Sequence, residues 1–129
     1  MHWADTYVGL PFRAGGRDRS GLDCWGLVRL VWAERLGLVL PRFDGGDDPA
    51  LTIDQVTRRM TAVERGAERP FDGVVIDTER RQGLGFVTVP AHVGVVVEQG
   101  QVLHIEAAST SRITRLGELR VARLVRLAP

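Results

Sequence analysis

From Cys24 to about Leu36, apolar residues recur at three- and four-residue spacing, with Leu27, Val28, Val31 and Trp32 on one stripe. That period predicts a helix with one buried face. Gly37 is placed to end it, and Asp23 or Ser20 to cap its start. Upstream, residues 2–8 read as a short helix stopped by Gly9 and Pro11, followed by a loop over 9–22 rich in Gly, Arg and Asp. Residues 38–48 carry Pro41 and Gly45-Gly46 and predict a loop, and Thr52-Ile53-Asp54-Gln55 fits a capping box opening a second helix to about Arg65. The period then becomes extended. Residues 71–76, 92–97, 102–107 and 119–127 are rich in Val, Ile and Leu between Gly, Pro or charged clusters, which predicts strands. Helices first and strands second predict one α+β domain over residues 1–129, its N-terminal helices packed on an antiparallel sheet. Residues 77–86, with Arg80, Arg81, Gly83 and Gly85, read as a mobile loop that walls a groove before His92.

One turn decides which side chains share a face. Glu98-Gln99-Gly100 has the composition of a three-residue hairpin loop, a type I turn followed by a left-handed glycine bulge. Val97 then faces Gln101, Gly94 faces His104, and His92 faces Glu106. Strand side chains alternate, so His92, His104 and Glu106 share one face, with the histidines diagonal at about 7 to 8 Å between backbones. A two-residue turn at Gln99-Gly100 instead predicts histidines on opposite faces. Val93, Val95, Val97, Leu103 and Ile105 form the apolar face, and Gly94 leaves room beside the imidazoles.

Composition narrows the chemistry. The 17 basic residues other than histidine are all arginine and nearly balance 16 acidic ones, so a net charge of +1 gives no basis for non-specific nucleic-acid binding. A single cysteine forms no internal disulfide and cannot supply the thiolates of a structural zinc site, so neither metal nor cofactor is implied. The first residues lack the basic start and apolar core of a secretory signal, and no apolar run reaches the roughly 20 residues of a membrane span. Synthesis in the cytoplasm is the expectation, with delivery by some other route if the substrate lies outside.

That cysteine, Cys24, stands where a glycine-rich loop turns into a helix. The positive end of a helix favours thiolate, which predicts a nucleophile of lowered pKa. Cys24 as nucleophile, His92 as general base and later acid, and His104 as the group orienting His92 make a cysteine triad. The Cys24 backbone N–H is a candidate donor to the oxyanion.

The runs Tyr7-Val8-Gly9-Leu10-Pro11-Phe12, Gly15-Gly16 and Gly21-Leu22-Asp23-Cys24-Trp25-Gly26-Leu27-Val28 resemble the opening of the NlpC family of papain-like cell-wall peptidases. Phe71-Asp72-Gly73-Val74-Val75 is similar to that family's first strand, and His92-Val93-Gly94-Val95 through His104 to its histidine hairpin. The likeness spans roughly residues 3–107. It implies a papain-like fold, the same three catalytic residues, and a peptidoglycan stem-peptide substrate cut between D-glutamate and a diamino acid. Phe12 stands where the family usually has a tyrosine whose hydroxyl assists, a role for which Tyr7 is a substitute candidate. Trp25 stands where a serine is usual. The Asp-Cys-Trp-Gly run resembles short phage and gene-transfer-particle members, implying tail-tip or hub proteins as partners and the virion tail as location.

Beside the triad, Tyr7, Asp23, Trp25, Arg80 and Arg81 are the substrate-binding candidates, the arginines as partners for stem-peptide carboxylates and Trp25 as a groove or partner surface. Arg13, Arg17 and Arg19 offer the same chemistry, and Glu106 is an alternative orienter. Two other functions fit the residues: a structural tail-tip protein that makes no use of the thiol, and a thiol acyltransferase or amidase on another substrate.

Overall fold

The structure is a computed structural model that describes residues 2–40 and 49–127. A 3-10 helix, Trp3–Tyr7, opens the chain. The short strands β1 (Arg17–Asp18) and β2 (Gly21–Leu22) pair with each other, and helix α1 (Cys24–Leu36) follows at once. Helix α2 (Pro49–Thr57) leads into β3 (Thr61–Val63), β4 (Gly73–Gln82), β5 (Gly85–Glu98), β6 (Gln101–His104), β7 (Arg112–Arg115) and β8 (Val121–Arg126), with a 3-10 turn Leu116–Glu118 before β8. Among the described residues these six strands make one sheet in the order β3-β8-β4-β5-β6-β7, antiparallel at every pairing. It is the α+β arrangement that the sequence predicts.

Alternation along β5 explains the core. Val93, Val95 and Val97 join Leu103 and Ile105 on the face that receives Leu27, Val28, Val31 and Trp32 of α1, all of them buried. The opposite face holds Val74, Ile76, Val96, Val102, Leu116 and Leu124. Trp32 is tied to the sheet side as well, its Nε1 donating to the Phe71 carbonyl at 2.8 Å. Burying side chains of this size contributes about 1.5 to 3 kcal/mol each before entropy is counted.

The β5–β6 turn joins both forms of hairpin that the sequence allows. Glu98 pairs with Gln101 across Gln99-Gly100, a two-residue connection, and the register then shifts by one residue before Val96 pairs with Val102. The extra residue of that bulge restores the pairing that a three-residue loop implies, with Val95 opposite Leu103. Gly100 is left-handed, at φ 80°. Glu68 fixes the turn from outside by accepting the Gly100 N–H at 3.0 Å.

Four expectations change. Residues 77–86 are no loop, because β4 and β5 continue past a bulge between Ile76 and Thr78 and pair as far as Gln82 with Gly85. The charged run Glu79-Arg80-Arg81 masks the alternation there, since both faces of this ribbon are open to water. The second helix begins by Pro49, so Thr52 is not its cap, and it ends at Thr57. Residues 61–63 pair with β8 instead of continuing it, a partner 63 positions further on in the case of Ala62 and Val125. Residues 105–107 leave the sheet after His104, and Arg112–Arg115 adds an edge strand that the pattern did not suggest. Of the predicted loop over 38–48, residues 41–48 lie outside the described residues.

Candidate functional site

Asp23 sets the start of α1. Its carboxylate accepts the Gly26 N–H at 2.7 Å, as an N-cap does, and also the Gly15 N–H at 3.2 Å and an Arg17 guanidinium N–H at 2.6 Å. The loop lies so close to the helix that a Cβ on Gly26 would stand 2.1 Å from the Gly16 carbonyl oxygen. Cys24, in the first turn, is thereby pinned between loop and sheet.

The sheet receives it at an edge. β6 parts from β5 after His104, which leaves the β5 backbone near Val93 uncovered on that side. The Val93 N–H lies close enough to the Cys24 thiol to favour its charged form. That places the sulfur against the residue next to His92, and Cys24 and His92 line one cavity of about 740 Å³.

His92 and His104 meet as the register requires. Nε2 of His92 lies 3.0 Å from Nδ1 of His104, the rings set edge to face. A Cβ on Gly94 would come within 3.2 Å of the His104 Cβ, so the glycine leaves the space in which that ring stands. His104 is completely buried and its Nε2 lies 2.8 Å from the Thr114 hydroxyl. Thr114 lies outside every sequence candidate. Treating residues 101–115 as a second hairpin would have found it, because Val102 pairs with Thr114 and His104 with Arg112, which puts Thr114 diagonal to His104. Glu106 stands on the cavity wall, 3.8 Å from His104 Nδ1 and held at 2.8 Å by Arg112.

The charge state differs from the one predicted for the cysteine. Burial, and then the Asp23 carboxylate, push the Cys24 thiol up to about 11, although the N–H groups of Val93, Trp25 and Cys24 pull the other way. The helix end does not supply a free positive pole here, because its cap is itself an anion beside the sulfur. Burial first, and then His104, push His92 down to about 4. Burial followed by Arg112 lowers His104 as well. At neutral pH the thiol and both imidazoles are uncharged.

The other candidates separate into two groups. Asp23 and Trp25 line the cavity with Phe12 and Arg17. Trp25 is buried, however, and offers no outer surface to a partner. Tyr7 is also buried, with its hydroxyl donating to Glu34 at 2.7 Å and the Arg19 guanidinium over its ring, so it does not replace the hydroxyl missing at Phe12. Arg80 and Arg81 ride on the β4–β5 ribbon, opposite Val87 and Phe86, and are not among the cavity-lining residues. Ser111 has a structural role. Its N–H bonds the Leu10 carbonyl at 2.9 Å and its hydroxyl accepts the Leu10 N–H at 2.9 Å, which ties the segment before Phe12 to the sheet.

The sequence model of the NlpC/P60 family matches residues 9–119. The chain belongs to that family. Among curated relatives, Probable endopeptidase NlpC of Escherichia coli (strain K12) is 32% identical over 108 residues, covering 83% of this chain and 58% of that protein. Gamma-DL-glutamyl hydrolase of Bacillus subtilis (strain 168) is 27% identical over 116 residues, 89% of this chain but 24% of its own length. The chain therefore spans 24% to 58% of the full length of these two curated relatives. The fold matches the NlpC/p60 domain of peptidoglycan hydrolase SagA with a TM-score of 0.69 at 21% identity, over 96% of this chain and 92% of that one. It also matches NlpC2 from Trichomonas vaginalis, with a TM-score of 0.71 at 19% identity, over 95% and 44%. The papain-like α+β class follows from these fold neighbours.

Proposed function

We propose that this NlpC/P60 chain is a cysteine endopeptidase that hydrolyses an amide bond of peptidoglycan stem peptides, between D-glutamate and a diamino acid. The observation that carries the reading is the line Thr114–His104–His92 ending at the cavity that holds Cys24. Relatives named as endopeptidases and as a glutamyl hydrolase support the substrate class.

The hydrogen-bond line dictates the protons. Nε2 of His92 is occupied by His104, so Nδ1 is the nitrogen left to act on the thiol. To accept a proton there, His92 must carry its own on Nε2 and donate it to Nδ1 of His104. His104 must then carry its proton on Nε2 and give it to the Thr114 oxygen. Thr114 is thus a positioning residue acting through His104.

Because the resting groups are neutral, proton transfer accompanies attack. The thiol proton passes to His92 Nδ1 as the Sγ–carbon bond forms, and the developing oxyanion is met by backbone N–H groups at the start of α1. The carbon–nitrogen bond then breaks, with the His92 proton going to the leaving amine. Water attacks the thioester, losing a proton to Nδ1, and that proton returns to sulfur as the acid departs.

One observation favours the second reading, a structural protein with an idle site: the thiol is held protonated by burial. Incubation with purified muropeptides followed by mass spectrometry separates the two. The peptidase reading expects products cut after D-glutamate, and intact muropeptides after prolonged incubation overturn it. For the setting we propose a phage or prophage tail, with tail-tip or hub proteins as partners, on the support of the Asp23-Cys24-Trp25-Gly26 run. Assembly in the cytoplasm and later contact with the wall fit that setting.

A further inference from the structure

We propose that His92, His104 and Glu106 form a reversible binding site for a divalent transition metal of the zinc type, and that occupancy switches His92 off as a base. The ligand atoms of these three residues lie within 4.8 Å of one another. Two imidazole nitrogens and one carboxylate oxygen suit Zn²⁺ and not Mg²⁺ or Ca²⁺, which take oxygen ligands. The hairpin register already puts these three residues on one face, whereas a count of thiolates bears only on sulfur-rich zinc sites.

The two imidazole nitrogens need little change. Zinc–nitrogen bonds of about 2.0 to 2.1 Å in tetrahedral geometry set the nitrogens about 3.3 Å apart, against 3.0 Å between His92 Nε2 and His104 Nδ1. Glu106 starts 3.8 Å from His104 Nδ1, and its half-exposed side chain swings in to complete a set whose ligand atoms all lie within 4.8 Å. The outer partners of such a site are already present. His104 keeps Nε2 on Thr114 at 2.8 Å, fixing the ring with Nδ1 inward, and Arg112 holds the Glu106 carboxylate at 2.8 Å. His92 and Glu106 both line the cavity, which supplies the entry path and a water for the fourth position.

The consequence for catalysis concerns one proton. A neutral imidazole bound to metal through Nε2 carries its hydrogen on Nδ1, so the ion displaces the Nε2 proton to Nδ1 with none lost to solvent. Nδ1 then presents a donor to the sulfur where the reaction needs an acceptor. This effect on activity rests on the peptidase reading, whereas the binding itself does not.

The test is calorimetric titration of ZnCl₂ into the full chain carrying Cys24→Ala, which removes the thiolate as a ligand. One ion per chain is expected, with affinity at least tenfold weaker when Glu106→Gln is added and unchanged when His2→Ala is added. Co²⁺ bound to the native chain is expected to show ligand-field bands without a thiolate charge-transfer band. Absence of binding to the Cys24→Ala protein, or undiminished binding after Glu106→Gln, overturns the site. Failure of metal-free native protein to cut muropeptides overturns the peptidase reading instead, and the calorimetric outcome still decides the metal site.

Discussion

Around Cys24 the site is built from charge: the Asp23 carboxylate takes the Gly26 and Gly15 N–H groups and the Arg17 guanidinium while lying beside the thiol. Around His92 it is built from neutral hydrogen bonds, imidazole to imidazole to hydroxyl, in a row centred on the buried His104. The first half can be tuned by changing a charge without moving an atom. The second depends on register and tautomer, and weakens by steps as its members are lost. On the proposed peptidase reading, the sulfur draws its reactivity from the base half, because the nucleophile half holds the thiol protonated.

The largest break in that comparison is removal of the sulfur. Cys24→Ala is expected to reduce muropeptide cleavage to background, a loss of about 10⁶-fold for a nucleophile acting as part of a unit, with circular dichroism unchanged. On the base side, His92→Ala is expected to cost more in kcat than His104→Ala, since orienting a base is less indispensable than being one. A larger loss from His104→Ala would reverse the assigned roles.

Stability against pH sharpens the contrast next. His92 is lowered from an ordinary value of 6.5 to about 4, so the unfolded chain binds the extra proton in that window. The contribution of neutral His92 is complete above 6.5 and is lost as pH falls towards 4. Cys24 is raised from 9.0 to about 11, so its contribution is complete below 9.0 and is lost as pH rises through that range. Thermal melts of native protein are expected to fall off on both sides, and Cys24→Ala to flatten the alkaline side alone.

Asp23→Asn keeps a capping side chain but removes the anion beside sulfur. Alkylation of Cys24 by iodoacetamide at neutral pH should then speed up about two- to tenfold, a change within one pKa unit. An effect confined to turnover is expected of Thr114→Val, which leaves His104 without its partner. A fall in kcat of about three- to tenfold with KM unchanged, rescued by Thr114→Ser, is the signature of positioning.

The sequence made the base half more legible than the nucleophile half. Strand register is discrete: once Gly100 turns the chain, Gly94 can face only His104, and a shift of one residue would have reversed every side chain. The thiol's pKa is instead a sum of opposing effects, and the residue best suited to cap α1 is also the anion that raises it. α1 was readable from its stripe and from Gly37. The β4–β5 ribbon was not, because its pairing lies beyond the core and its apolar residues, such as Phe86 and Val87, stand exposed instead of lining a buried face. Thr61–Val63 and Arg112–Arg115 are strands only by virtue of their partners, the distant β8 for the first and β6, across an irregular loop, for the second. Thr114 was hidden for the same reason.

The most direct test of the union between the two halves is the rate of Cys24 alkylation as a function of pH, in native protein and in His92→Ala. With the imidazole in place to take the thiol proton, native protein should react at neutral pH at least tenfold faster than the variant, whose rate should rise only as pH approaches 11, the thiol's own value. Superimposable profiles would mean that sulfur and imidazole do not act together.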